Sequence, residues 1–541
     1  MALVWAILSQ TREVSATMVP PERIRVLNQS PLNPQGRHVL YWMTAARRSS
    51  HNFGLQRAAE LSRELDRPLL VLEALRADYP FASRRLHAFV MQGMADNLRA
   101  FAKGRALYHP YLEPASGAGK GLLEVLAEHA CAVVADDFPA FFLPRMLAAV
   151  ASRLAVGLEA VDSCGLLPLA ATPKAFPSAH QMRRFMHRHL PTHLGSLAEA
   201  DPLRAGLPAG AALPAGLAER WPAATAGQLR SGSGWLANRP LDHSLAVSPL
   251  AGGSQAAGAR LRAFVANGLA RYAEEAKHPL SGAASGLSPY LHFGHISTQE
   301  VFLAVAGNEG WAPHLLNPGA AGHRQGFWGL TASAEAFLDQ LVTWRELGYH
   351  FCRHRPDHES FSALPDWAQH TLRKHARDPR AYVYGPEELL AAATHDPIWN
   401  AAQRQLAREG IIPNYLRMLW GKKILHWAPD PRSALAIMLE LNNRLALDGR
   451  DPNSISGILW CLGLFDRPWG PERPVFGRVR YMTSENAARK LRLKQYLDLY
   501  GPESGVMAAA SDLKPASQSP EPLRPNKPKA RRAKGPGRPA R

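Results

Sequence analysis

Between residues 37 and 165, short apolar runs rich in β-forming residues alternate with segments of helical period, and beyond residue 259 the strand signal stops. RHVLYWMT and PLLVLEAL flank the helical NFGLQRAAELSREL, and HACAVVADD and AVGLEAVD repeat the strand signal further on. Alternation at this spacing predicts βαβ units around a parallel sheet, because parallel neighbours need a crossover long enough to hold a helix. No GxGxxG follows the first strand, so an ordinary dinucleotide site is not indicated. A chain of 541 residues has room for more than one core. The change of pattern divides it into an N-terminal extension (1–22), an α/β domain (23–190), an Ala/Gly/Pro-rich connector expected to be partly disordered (191–258), an all-α domain (259–504) and a basic disordered tail (505–541).

Within the second half the helix boundaries are written in the residues. Asp396-Pro397 supplies an N-cap followed by proline at the first helical position, IWNAAQRQLARE carries the helix, and Gly410 is placed to end it. NYLRMLWGKKILHW and RSALAIMLELNNRLAL make two more helices. No run of eighteen apolar residues occurs, which excludes a membrane-spanning helix. MALVWAILSQTREV lacks both a basic start and a cleavage site and does not read as a secretory signal. The four cysteines are far apart and show no CxxC spacing. A cytoplasmic location fits best.

Charge points to the partner: 63 Lys and Arg against 45 Asp and Glu leave a net +18 and a pI near 10.0, a balance suited to a polyanion. Nine basic residues and one acid lie between Lys514 and Arg541, among seven prolines, and the rest of the chain still carries about +10.

No hydrolase nucleophile and no HExxH helix is present, and no metal site is expected. His187 and His189 in RRFMHRHLPTH read as an exposed basic turn rather than a metal pair. Tryptophans on helices are more distinctive. Trp420 and Trp427 are seven apart and so share a face, about 10 Å apart along the axis, and Trp399 lies on the preceding helix. Taken alone, such indoles are more often core packing than an electron path. A second group gathers Arg417, Met418, Asn442, Asp448, Arg450, Asp451 and Asn453. Spacing permits an Arg417–Asp448 ion pair in a cavity, though it favours a capped turn with a surface pair.

Five segments then carry a resemblance: SGLSPYLHFG (285–294), HDPIWNAAQ (395–403), YLRMLWGKKILHW (415–427), LDGRDPN (447–453) and VFGRVRYM (475–482). In this order they closely resemble the class II cyclobutane pyrimidine dimer photolyases, strongly over 260–497 and more loosely over 37–190. The resemblance implies the photolyase/cryptochrome architecture, a Rossmann-like α/β domain followed by an all-α FAD-binding domain. It implies FAD as cofactor and light-driven electron transfer from reduced flavin to a dimer flipped out of DNA. Tyr272 and Ser285-Gly286-Leu287-Ser288 would hold the cofactor, the turn facing its diphosphate. Arg417 and Asp448 would form an ion pair beside the isoalloxazine, with Asn442 at flavin N5. Trp420, Trp399 and Trp427 would reduce the flavin in light, Trp427 being the exposed end. Met418, Trp460 and Trp469 would line the lesion pocket.

The chain departs from the family pattern in places. FLDQLVTWREL sets Gln340 where a glutamate is expected and Trp344 where arginine is common. LGLFDRPW is one residue short. VDSCGLLPL replaces a more polar stretch, which leaves the identity of a second, antenna chromophore open, and residues 306–336 look inserted. The partner implied is DNA containing pyrimidine dimers, with no obligate protein partner. The competing reading is a cryptochrome-like blue-light receptor that signals through a protein.

Overall fold

The computed structural model describes residues 18–230 and 234–502. The tail expected at 505–541 and most of the N-terminal extension lie outside the described residues. Six strands form one sheet: β1 (Ile24–Val26), β2 (His38–Trp42), β3 (Leu69–Leu75), β4 (Leu107–Leu112), β5 (Ala130–Asp136) and β6 (Leu158–Val161), in the order β1-β6-β5-β2-β3-β4. Five of them run parallel, as the alternating pattern predicts. The expectation of a wholly parallel sheet needs one correction, since β1 pairs antiparallel with β6 through Ile24 and Val161. Three residues are too few to leave a periodic signal in the sequence.

β2 and β5 are buried at every residue because helices cover both faces. Val39 and Tyr41 pack with Phe53, Leu55 and Ala58 of the helix Phe53–Glu64 on one side. Leu40 and Trp42 pack with Leu122, Leu126 and Leu147 on the other. At the carboxyl ends of β2 and β5, where the strand order reverses, Asp136 accepts hydrogen bonds from the amides of Thr44, Ala45 and Ala46 at 2.8, 2.7 and 2.9 Å, and from Tyr41 Oη at 2.6 Å. Open α/β sheets bind ligands in this crevice. Here it keeps a cavity of about 20 Å³, lined in part by Asp136, Cys164, His292 and Arg345, with room for about one water.

The Ala/Gly/Pro-rich stretch expected as a partly disordered connector is pinned where it is described. Leu207, Leu217, Trp221, Leu229 and Leu236 are buried, and Trp221 Nε1 donates to the Ala118 carbonyl at 2.8 Å. A few widely spaced apolar anchors suffice to hold a segment whose composition reads as a linker. The expected basic turn around His187 is likewise a helix, Ala179–His193, capped by Ser178. His187 is buried there rather than exposed.

From Ser254 onward the chain is helical and shares one continuous core. Asp396 accepts from the Ile398 and Trp399 amides, Pro397–Glu409 is the helix, and Gly410 ends it at φ +77°. Asn414–Trp427 and Pro431–Leu445 follow as predicted. Arg85, buried on the helix Arg84–Phe101, ties the α/β layer to this body by donating to the carbonyls of Leu406 and Leu445 at 3.3 and 2.9 Å. Both carbonyls belong to final helical turns, where carbonyl oxygens keep lone pairs open to donors from outside the helix.

Candidate functional site

LDGRDPN forms a tight turn between Pro431–Leu445 and the helix Pro452–Cys461, which Asp451 caps. The turn brings Asp448 to Arg417 on Asn414–Trp427, with Nη2 at 2.8 and 3.1 Å from the two carboxylate oxygens. Both side chains are mostly withdrawn from solvent, 14% and 9% exposed, so the pair is not a surface pair. Ser454 links it to Asn442: Asn442 Nδ2 donates to Ser454 Oγ at 2.9 Å, and Arg417 Nη1 reaches the same oxygen at 3.4 Å. Nothing in the motifs singled out Ser454, although it directly follows LDGRDPN.

The SGLS turn leads into the short helix Ser288–His292, which ends at Asp451 of the LDGRDPN turn. Gly286 adopts φ +64°, a conformation that favours glycine. Arg260, from the helix Ser254–Asn267, donates Nε to the Ser285 carbonyl at 2.6 Å and Nη2 to the Ala284 carbonyl at 2.8 Å. A Cβ on Gly286 would stand 2.8 Å from Arg260 Nε. Arg260 is a second residue missed by sequence reasoning, because 25 residues of chain separate it from the turn it holds. Leu287 is buried under the turn and Ser288 opens the short helix Ser288–His292. At the far end of that helix His292 Nδ1 lies 3.2 Å from Asp451 Oδ2, which also accepts from Tyr349 Oη at 2.7 Å. Burial pushes the Asp451 carboxyl up, and its bonds to His292 and Tyr349 together with the nearby Arg345 charge outweigh this and hold it below the usual range. Tyr272 packs edge-on against Phe337 with ring centres 5.3 Å apart.

The polar set fits the flavin that the resemblance implies. An ion pair and an amide stand side by side for a heterocycle edge with alternating donors and acceptors, and a glycine turn leaves backbone open for a diphosphate. Among the described residues no group of three metal-ligating side chains occurs.

The three tryptophans meet. Trp399 lies between the other two, parallel to Trp420 within 2° at 6.5 Å between ring centres and edge-on to Trp427 at 5.6 Å. Trp399 Nε1 donates to the Trp420 carbonyl at 3.1 Å, and Trp420 Nε1 donates to Gln403 Oε1 at 2.8 Å. One expectation fails: Trp427 is only 2% exposed and is not a surface terminus. Tyr384 and His395, each 5.4 Å away, cover it. Tyr382, stacked on His395 at 3.8 Å and 49% exposed, is the ring that meets solvent. These covering rings come from residues 382–395, upstream of the helix, so helical spacing could not reveal them.

The expected pocket residues form two groups. Trp460 and Trp469, both half-buried, flank Arg480, whose guanidinium carbon is 5.5 and 4.1 Å from their ring centres. Asp466 holds Arg480 at 2.8 and 3.0 Å. Lys422, fully buried, donates to the Cys461 carbonyl at 2.8 Å and lies 4.7 Å over Trp460. Met418 is half-buried one turn before it, its terminal methyl near Gly457. Gln340 and Trp344 stand apart on a π-helical turn, Asp339–Trp344, which runs into the helix Arg345–His354. Gln340 is exposed and its amide makes no hydrogen bond among the described residues. Gly348 lets this helix lie against the backbone of Pro452 and Asn453, on the helix that carries Trp460.

No family model matches the chain. It is 34% identical over 488 residues to the deoxyribodipyrimidine photo-lyase of Methanothermobacter thermautotrophicus, covering 89% of this chain and 98% of that one. The protein of the same name from Oryza sativa is 32% identical over 93% and 94% of the two chains. The one from Potorous tridactylus is 29% identical over 88% and 84%. Among solved structures, a class III photolyase from Agrobacterium tumefaciens aligns with a TM-score of 0.56 at 16% identity, covering 80% and 82%. The cryptochrome of Synechocystis sp. PCC6803 aligns with a TM-score of 0.61 at 15% identity, covering 86% and 89%. At such identities the two structures speak to the fold alone.

Proposed function

Because the chain belongs to the deoxyribodipyrimidine photo-lyase family, we propose that it is a light-dependent DNA-repair lyase of the class II type, splitting cyclobutane pyrimidine dimers with FAD as its cofactor. The observation that carries this reading is the connected group Arg417–Asp448–Ser454–Asn442, with its ion pair withdrawn from solvent. When bound, the reduced flavin supplies the electron that light sends into the dimer.

The chain's own residues bind, orient and insulate. Ser285 to Ser288 offer backbone and hydroxyl donors for the diphosphate, and Arg260 keeps that turn in shape. Arg417 and Asp448 present a fixed dipole, while the Asn442 amide, held by Ser454, is set to meet a ring nitrogen with either donor or acceptor. Trp420, Trp399 and Trp427 form a continuous π-path with neighbouring ring centres 5.6 to 6.5 Å apart. They would return the cofactor to its reduced state, with Tyr384, His395 and Tyr382 leading to the surface. Met418, Trp460 and Trp469 would offer flat apolar contact to unstacked bases. Gln340, exposed, and Trp344, half-buried on the same π-helical turn, would face the lesion.

The substrate is duplex DNA bearing the dimer, in keeping with a net charge of +18. No helix among the described residues is long and apolar enough to cross a membrane, and a cytoplasmic enzyme is our reading. The deciding experiment follows dimer content in an oligonucleotide under blue light and in darkness, with the flavin chemically reduced. Light-dependent loss of the dimer is expected. No loss in either condition overturns the repair reading in favour of a photoreceptor.

A further inference from the structure

From residue 163 to 198, and again from 310 to 334, the chain carries no aspartate or glutamate, although it has 45 of them in all. The fold brings these two acid-free stretches together. His187, on the helix Ala179–His193, stacks flat on Phe327 with ring centres 4.0 Å apart and accepts a hydrogen bond from the Gly322 amide at 3.1 Å. Burial pushes its imidazole down to about 4, so at neutral pH it serves as an uncharged acceptor. Gly322 has φ +93°, and a Cβ there would collide with Arg184 Cγ and approach the His180 carbonyl. The loop is therefore laid against the helix at backbone distance.

Above this seam the surface is cationic. His180, Arg184 and Arg188 follow one another at i, i+4 and i+8, on one exposed face of the helix. His323 and Arg324 are exposed on the loop beside them. Arg184, Arg188 and Arg324 make no ion pair among the described residues. Acids meet this helix at other positions: Asp339 pairs with the inward-turned Arg183 at 2.5 Å, and Glu22 with His193 at 3.3 Å near the helix end. The Arg183 pair fixes where the strip begins, because Asp339 is the first residue of the π-helical turn that carries Gln340 and Trp344.

We infer that this strip, built jointly by the helix Ala179–His193 and the acid-free segment 310–334, is a DNA track that contacts the phosphate backbone flanking the dimer. Its position relative to the lesion rests on the proposed role of Gln340 and Trp344, and its partner on charge. Unpaired arginines neutralise phosphates and carry no base readout unless they reach a groove. An acidic protein would suit the same charges, but contiguity with Asp339–Trp344 favours the duplex that has to lie across that turn.

The test uses the full chain and its triple variant Arg184→Glu, Arg188→Glu, Arg324→Glu, all at exposed positions. Dark binding is measured on a duplex of about 30 base pairs with a central dimer and on a short single strand of about six nucleotides with the same dimer. For the duplex, affinity is expected to fall roughly tenfold or more near 0.1 M salt, and the slope of log K against log salt to flatten by about 2 to 3. Affinity for the short strand should stay within about twofold, and the Arg→Lys triple variant should retain the native slope. Unchanged duplex affinity and slope overturn the inference, as does an equal fall on both substrates. Gly322→Val, which pries the loop from the helix without changing charge, should weaken duplex binding in the same selective way. If the native protein ignores the short dimer strand, the lesion-pocket reading fails by itself, while the duplex slope still decides whether the strip is a DNA track. Tight binding of the native chain to an acidic polypeptide, with no slope change on DNA, would assign the strip to a protein partner and overturn the inference.

Discussion

At the scale of single residues, Trp399 shows how position gives an ordinary core side chain a second use. Its indole is fully buried, as packing alone would have it, yet it is also the only ring among the three that touches both others. Trp420→Phe should block light-driven reduction of the oxidised cofactor and leave dimer splitting by chemically reduced enzyme nearly intact, because reloading the cofactor and using its electron are separate steps. Transient absorption after a flash checks the first half, and unaltered photoreduction would return these indoles to packing. Gln340 gives the complementary test. Its amide can still donate a hydrogen bond worth about 0.5–1.5 kcal/mol but cannot release a proton as a carboxylic acid can. Gln340→Glu is expected to preserve or raise the repair yield, and Gln340→Ala to lower lesion affinity and repair together. An alanine variant equal to the native protein in both assays would remove this side chain from the lesion.

At the scale of elements, Arg345–His354 is the rod that joins the layers. Its Glu346 carboxylate accepts from the amides of Leu166 and Leu167 at 2.7 and 3.1 Å, and Arg345 donates to the Cys164 carbonyl at 2.7 Å. Burial pushes Glu346 up to about 7, against the opposing pull of those two amides and of Arg345 and Arg23. The folded protein then holds this proton more tightly than the unfolded chain, so the contribution to stability is full below about 4.5 and is lost as pH rises through about 7. Glu346→Gln should therefore resemble the native protein most closely near pH 5 and gain on it toward pH 8. Thermal melting across this range reads the effect, and parallel curves would mean that Glu346 does not titrate there. The π-helical turn just before this rod adds one residue per turn. That extra residue sets Gln340 and Trp344 off the regular helical stripe.

At the scale of the whole molecule, the α/β layer and the helical body meet through glycines as much as through side chains. Gly294, at φ +70°, ends the SGLSPYLHFG segment against the Ala45 carbonyl, with no space for a Cβ, and its own carbonyl accepts from Arg48 at 3.1 Å. Gly294→Ala is expected to cost about 2–4 kcal/mol, combining left-handed backbone strain with overpacking at a seam that cannot yield. A denaturant midpoint that stays within error of the native one would show the seam to be soft.

The sequence by itself determined the elements whose causes are local. Asp396, Pro397 and Gly410 bound a helix because caps and breakers act within one turn, and the alternating β and α patterns of 37–165 imply a largely parallel sheet because period follows from backbone geometry. Motif order alone also carried the family resemblance, together with the pairing of Arg417 with Asp448 that it implied. The tertiary structure decided whatever depends on chain segments far apart. It buried Trp427 beneath Tyr384 and His395, brought Arg260 to the SGLS turn, and added a three-residue antiparallel strand to the sheet edge. It also turned His187 from an apparent surface residue into the clamp that seats the Gly322 loop, about 135 residues away. Contacts across such separations are selected by packing and charge in three dimensions and leave no period, cap or spacing for a one-dimensional reading to find.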